Sequence, residues 1–170
     1  MNSYEVIIIG RGLTALNAAR NLSRLGIRRI CLVAPPPTAV NCNSHLVQVA
    51  SASLQENITR PAHNHGTAVA RELLRLNRSG LTELSNLLEE FKIPHALGSV
   101  KRLALSDHEE QEMHIATQWL QNNGFPAMLT NMRAKIPKCL ALQSDGALSI
   151  SFDAKALCAA MEENIACETL

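Results

Sequence analysis

Residues 4–34, YEVIIIGRGLTALNAARNLSRLGIRRICLVA, decide how the rest of the chain is read. Val6-Ile7-Ile8-Ile9 is a β-branched run that ends at Gly10. Such a run, bounded by glycine, predicts a strand buried on both faces, as in a parallel sheet. Leu13, Leu16, Ala19, Leu22 and Leu25 then recur at helical spacing and form one apolar face. Gly26 supplies a helix stop. Ile30-Cys31-Leu32-Val33 predicts a second buried strand. Strand, glycine turn, helix, glycine and strand make a βαβ unit, which closes right-handed.

The glycine turn gives this unit its chemistry. Gly10 permits a tight exit from the strand, and Gly12 lets backbone approach a pyrophosphate with no Cβ in the way. Ala15 is small enough for helix to pack on strand. The helix N-terminus, through Leu13 and Thr14, then presents free amides and the positive end of the dipole to phosphate. A plain βα turn would need one glycine for its shape. Two glycines plus a small third residue, after a strand and at the start of a helix, point to dinucleotide binding.

One part of that pattern is missing. Nucleotide-binding units usually end the second strand with Asp or Glu, which accepts from the ribose hydroxyls. Here Ala34 stands there, followed by Pro35-Pro36-Pro37, and the next carboxylate is Glu56. No Arg follows the strand to take a 2′-phosphate, since Arg28 and Arg29 precede it. Loss of such an acceptor costs about 1–3 kcal/mol of binding.

Beyond Ala34 the chain is irregular to residue 62, with turn formers at Asn41, Asn43 and Ser44 and no clear period from Leu46 to Leu54. His63-Asn64-His65 lacks a third ligand at metal spacing and is expected to precede a helix. That helix starts at Gly66-Thr67 and carries Val69, Leu73, Leu76, Leu84, Leu87 and Leu88 as its apolar stripe. Ser79-Gly80 is a place where it could bend or split. After Pro94, residues 97–105 alternate as a strand. Ser106-Asp107-His108-Glu109 has the form of a capping box, and its helix runs through Met113, Ile115 or Ala116, Trp119 and Leu120 to Asn123-Gly124. Met128-Leu129-Thr130 is a short strand. Ser144-Asp145-Gly146 between apolar runs predicts a hairpin. Asp153 caps a last helix with Ala156, Leu157, Ala160 and Met161 inward.

With 16 basic and 15 acidic residues, neither nucleic acid nor an anionic membrane is indicated as a partner. Aromatic content of 3% removes stacking platforms for bases. No apolar run reaches transmembrane length, and no signal peptide is legible, so a cytoplasmic location is expected. Five cysteines with no CxxC or zinc spacing are expected to be reduced thiols. No metal site and no acid–base pair is legible; His95, His108 and His114 stand isolated.

Together, the glycine unit, the segment LLRLNRSGLTELSNLLEE, the segment FKIPHALGSVKRLALSDHEEQEM and the final GALSISFDAKALCAAM resemble the N-terminal half of the D-amino-acid oxidase and glycine oxidase superfamily of FAD-dependent oxidoreductases. In the last segment Ala154 stands where the family pattern has proline. The resemblance implies an α/β fold: a Rossmann-like FAD-binding βαβ unit with part of an inserted α+β substrate domain. It implies residues 1–62 as the dinucleotide-binding portion and 63–170 as a helical segment with partial substrate-domain and return elements that do not stand alone. It implies FAD as cofactor, with Gly10, Gly12, Leu13 and Thr14 at the pyrophosphate, Ala15 as the packing position and no acidic ribose ligand, because Ala34 occupies that place. Ser44 lies near a family serine that touches the phosphates. Family members are much longer than this chain, so it is expected to be truncated relative to them, without the residues that hold the substrate.

Two functions of different class follow. The first is an FAD-dependent oxidoreductase that oxidises a small-molecule amine or amino acid with hydride transfer to flavin, completed by a missing half or a second subunit. The second is a truncated or degenerate homologue without activity, acting as a subunit or scaffold. A nicotinamide-dependent dehydrogenase fits less well, because the long helix after residue 63 interrupts regular βαβαβ alternation.

Overall fold

The computed structural model describes residues 3–10, 12–33, 47–54, 56–132, 138–165 and 168–169. In chain order the elements are β1 (Val6–Ile9), α1 (Leu13–Arg24), β2 (Ile30–Val33), β3 (Val47–Ser51), α2 (Thr59–His65) and α3 (Thr67–Glu90). They continue with β4 (His95–Ala104), α4 (Asp107–Asn122), β5 (Met128–Asn131), β6 (Ala141–Asp153), α5 (Ala154–Asn164) and β7 (Glu168–Thr169). The contacts divide the chain into two interleaved units: Met1–Gln48 with Leu87–His95 and Phe152–Leu170, and Val49–Asn86 with Ala96–Ser151.

The first unit contains the predicted βαβ. β1 and β2 pair in parallel, Val6 opposite Ile30 through Ile9 opposite Val33. β7 adds a third parallel strand on the other side of β2, with Cys31 opposite Glu168. α1 packs on β1, β2 and α5, and its Leu16 and Ala19 have no exposed surface. Gly26 closes α1 at φ +92°, and Ile27 donates back to the Leu22 carbonyl in a Schellman arrangement. Leu25 lies past the last turn and is exposed, so it drops out of the predicted apolar face.

β2 is buried as expected, but β1 is not buried on both faces. Ile7 is 60% exposed and Ile9 86%, while Val6 and Ile8 are half-buried. β1 is an edge of the three-stranded sheet among the described residues, and a β-branched run reports strand formation without reporting what covers each face.

The second unit is a four-stranded sheet in the order β3-β6-β4, with β5 antiparallel on β6 from Met128 opposite Ser144 to Asn131 opposite Ala141. Helices α2, α3 and α4 meet at Ile58, Ala70, Leu74, Ala116 and Leu120. α4 meets the strands at Met113, Ala104 and Ala141. α4 opens with the predicted capping box: the Ser106 hydroxyl accepts from the Glu109 amide, and the Glu109 carboxylate accepts from Ser106 N–H. Of the two predicted inward positions, Ala116 is buried and Ile115 exposed. β3 emerges from a stretch in which the sequence shows no period.

Three expectations are corrected here. Asp145-Gly146 does not turn a hairpin, because β6 runs unbroken through it. A two-residue I′ turn needs positive φ at both central residues. Only Gly146 has it, at +65°. Gly146 adopts this conformation inside a continuing strand, which its lack of a Cβ permits. The Asp145 carboxylate holds this part of β6 by accepting from the Ala147 amide at 2.9 Å and the Ser53 hydroxyl at 2.6 Å. Second, α3 does not split at Ser79-Gly80. Gly80 faces open space, and the buried Leu74, Leu81, Leu87 and Leu88 on either side keep the helix in one piece. Third, the first half of its stripe is displaced by one residue: Ala70 and Leu74 are buried, whereas Val69, Leu73 and Leu76 are exposed. Both sets satisfy helical spacing, and the small Ala70 permits the closer packing. As expected, His63 and His65 directly precede the helix that starts at Thr67, and they lie, exposed, in the short helix α2, which the sequence does not announce.

Candidate nucleotide-binding site

The site is built where β1 hands over to α1. Gly10 takes φ +137°, a conformation open to glycine, and its amide donates to the Val33 carbonyl at 2.9 Å. That bond fastens the turn to the end of β2. A Cβ on Gly10 would meet the Ala15 Cβ at 3.4 Å, so the small residue at 15 lets the helix start this close to the strand.

Gly12 is the N-cap residue, extended at φ −82° and ψ 177°, and offers no side chain to the first turn. No acidic residue stands in that turn either. The amides of Leu13, Thr14 and Ala15 precede the first intrahelical bond, which Leu16 makes to the Gly12 carbonyl at 3.0 Å. Thr14 is exposed, and Gly12, Leu13 and Ala15 are half-buried. The residues predicted for phosphate are thus brought together as an uncapped, positively polarised helix end. Such an end suits an anion. Their donor set fits the pyrophosphate of a dinucleotide such as FAD, and Gly12 carries no Cβ to stand in its approach.

One polar atom here was not singled out from the sequence. Asn17 Oδ1 on α1 is buried and has no hydrogen-bond partner among the described residues. A lone buried acceptor leaves no trace in a sequence pattern. Arg11, Ala34 and Ser44 lie outside the described residues, as do Pro35-Pro36-Pro37, Asn41 and Asn43. Among the described residues no group of three His, Cys, Asp or Glu could hold a metal ion. No helix among them is long and apolar enough to cross a membrane.

The second unit carries its polar groups differently. Gln143, buried, donates to Thr117 Oγ1 at 2.8 Å and to the Met113 carbonyl at 3.3 Å. Arg102 donates to the Leu54 and Glu56 carbonyls. These bonds anchor α4 and the segment after β3 to the sheet.

No family model and no curated protein matches this sequence. Solved structures do. L-proline dehydrogenase from P. horikoshii superposes with a TM-score of 0.67 at 14% identity, over 99% of this chain and 44% of its own. Glycine oxidase from Geobacillus kaustophilus gives 0.63 at 16%, over 100% and 47%. L-amino acid deaminase from Proteus vulgaris gives 0.64 at 14%, over 99% and 40%. The expected resemblance to the D-amino-acid oxidase and glycine oxidase superfamily therefore holds at the level of fold: this is the mixed α/β fold of those enzymes, with the parallel β1–β2 pair at its start. The chain spans less than half the length of the structures it matches.

Proposed function

We propose that this chain supplies the dinucleotide-binding part of an FAD-dependent oxidoreductase that oxidises a small amine or amino acid. The observation that carries the reading is the uncapped start of α1 beside the Gly10 turn. The proteins sharing its fold support it: an L-proline dehydrogenase, a glycine oxidase and an L-amino acid deaminase. In this reading residues 1–62 carry the nucleotide portion. Residues 63–170 supply substrate-domain elements and the returning segment that brings α5 and β7 back to the first unit. Gly10, Gly12, Leu13 and Thr14 hold the pyrophosphate through backbone amides, and Ala15 sets the helix close to the strand. When bound, the flavin supplies the hydride acceptor. Ala34 offers the ribose no acceptor, so the cofactor is held less tightly than in a site with an acid there. The substrate-holding groups come from chain beyond these residues or from a second subunit, and the protein works in the cytoplasm.

The test is an FAD titration of the 170-residue chain, followed by flavin fluorescence and thermal shift. Saturable binding with a melting temperature that rises with FAD, as linkage requires, supports the reading. A folded chain that does not bind FAD overturns it. That result would favour the second reading, a homologue without activity that serves as a subunit or scaffold. The exposed Ile7 and Ile9 on the edge strand are the observation in its favour.

A further inference from the structure

Within the second unit, a cavity of about 400 Å³ lies between α3 and the strands. Leu81, Leu97, Ala147, Leu148 and Ile150 give it apolar walls. One charged residue lines it, Arg78. Its volume is within the range of small-molecule pockets, which join apolar walls to a few polar groups.

Arg78 is held in place but meets no carboxylate among the described residues. Its guanidinium stacks 5.0 Å above the Phe125 ring. Its Nη2 donates to the backbone carbonyl of Asp145 at 3.1 Å. The Asp145 carboxylate is turned to Ser53 and the Ala147 amide. Arg78 Nε is buried and has no hydrogen-bond acceptor among the described residues. By contrast Arg20, Arg24, Arg29 and Arg75 each meet a carboxylate. A guanidinium with a spare, desolvated donor is costly unless something accepts from it.

We propose that this cavity binds a small monocarboxylate with an aliphatic tail, whose carboxylate pairs with Arg78 and whose tail lies against Leu81, Leu97, Leu148 and Ile150. A small rotation of the guanidinium presents Nε and an Nη to the two carboxylate oxygens side by side, the geometry in which Arg binds carboxylates well. Thr82 and Ser85 on α3 line the same cavity, with the Thr82 hydroxyl donating to the Arg78 backbone carbonyl at 3.1 Å. The site uses no residue of the glycine turn, so it stands or falls apart from FAD binding.

Hexanoate and its uncharged analogue hexanamide are the probes, titrated into the isotope-labelled chain and followed by backbone amide shifts. The expected result is saturable movement of amides 81–86 and 146–150 with hexanoate and little with hexanamide. Arg78→Gln weakens hexanoate about tenfold or more, the loss expected for a charge-assisted pair. Should Arg78→Gln fail to fold, Leu97→Trp decides, since Leu97 is largely exposed and a larger ring there blocks the cavity while Arg78 is kept. Loss of hexanoate binding in Leu97→Trp supports the site. Equal binding of hexanamide, shifts confined to other residues, no saturation, or undiminished binding by either folded variant overturns it.

Discussion

The Cβ that Gly10 lacks would lie 3.4 Å from the Cβ of Ala15. These two positions, five apart in the chain, set how closely α1 starts against β1. Space alone would tolerate a methyl group, but the backbone would not, because φ is +137° at Gly10. Gly10→Ala is therefore expected to cost about 1–3 kcal/mol through backbone strain, seen as a lower urea midpoint. FAD binding by the same variant should weaken as well, because the turn that aims the α1 amides must shift.

At Gly146 both space and conformation are restricted. Its φ is +65°, and a Cβ would stand 2.9 Å from Pro126 Cγ. Gly146→Ala is expected to destabilise by about 1–3 kcal/mol from strain and overpacking. Asn, which tolerates this φ, should not rescue it, because its Cβ meets the same ring. Chemical denaturation of the two variants checks this, and a stable Gly146→Asn would place the cost in conformation alone.

Arg20 is 7% exposed and meets Glu90 Oε2 at 2.5 Å, while Arg24 reaches the same oxygen at 3.5 Å from an exposed position. Glu90→Ala leaves Arg20 buried and unpaired. The cost of breaking a buried pair, reduced for the half-exposed carboxylate, is about 1–3 kcal/mol. Arg24→Ala removes only a surface pair and should cost no more than about 1 kcal/mol. Thermal or urea unfolding of the two variants should show that order.

Burial, and after it the negative charge of Glu162, pushes the Cys158 thiol above its ordinary value. The folded chain then keeps this proton to higher pH than the unfolded chain does. The corresponding stability is present below the unfolded value of about 8.5 and is lost as pH rises through the folded value. Wild type should therefore lose stability with rising alkalinity relative to Cys158→Ser, the other thiols being common to both. Urea midpoints measured across that range would read the difference, and parallel curves would refute it.

At pH values approaching the carboxylate range, Glu72 gives the opposite sign. A hydrogen bond from Arg75 holds its carboxyl below the usual value. Its small contribution is present above the unfolded value and fades as pH falls through the folded one. Both groups are fully exposed, so Glu72→Gln should leave the acid unfolding profile nearly unchanged, as a measured acid titration of the two proteins would show.

What the sequence determined by itself is local chemistry. The Gly26 stop, the Ser106–Glu109 box and the Asp153 cap each rest on bonds made within a few residues, and each is found in place, as is the helix start at Gly12 after the β-branched run. The tertiary structure alone decided which surfaces are covered. Ile7 and Ile9 have the same β-branched chemistry as the buried Ile30, yet among the described residues one strand is an edge and the other lies between two neighbours. Val69 and Ala70 both satisfy helical spacing, and only the approach of Ile58, Ala116 and Leu120 chooses Ala70. Asp145-Gly146 has hairpin residues, but β5 and the other strands that pair along β6 carry the chain straight through. Arg78 is one of many arginines in the sequence until Phe125, the Asp145 carbonyl and an apolar cavity surround it. Turn and cap energies are encoded in neighbours along the chain, whereas burial depends on residues that only the folded chain brings together.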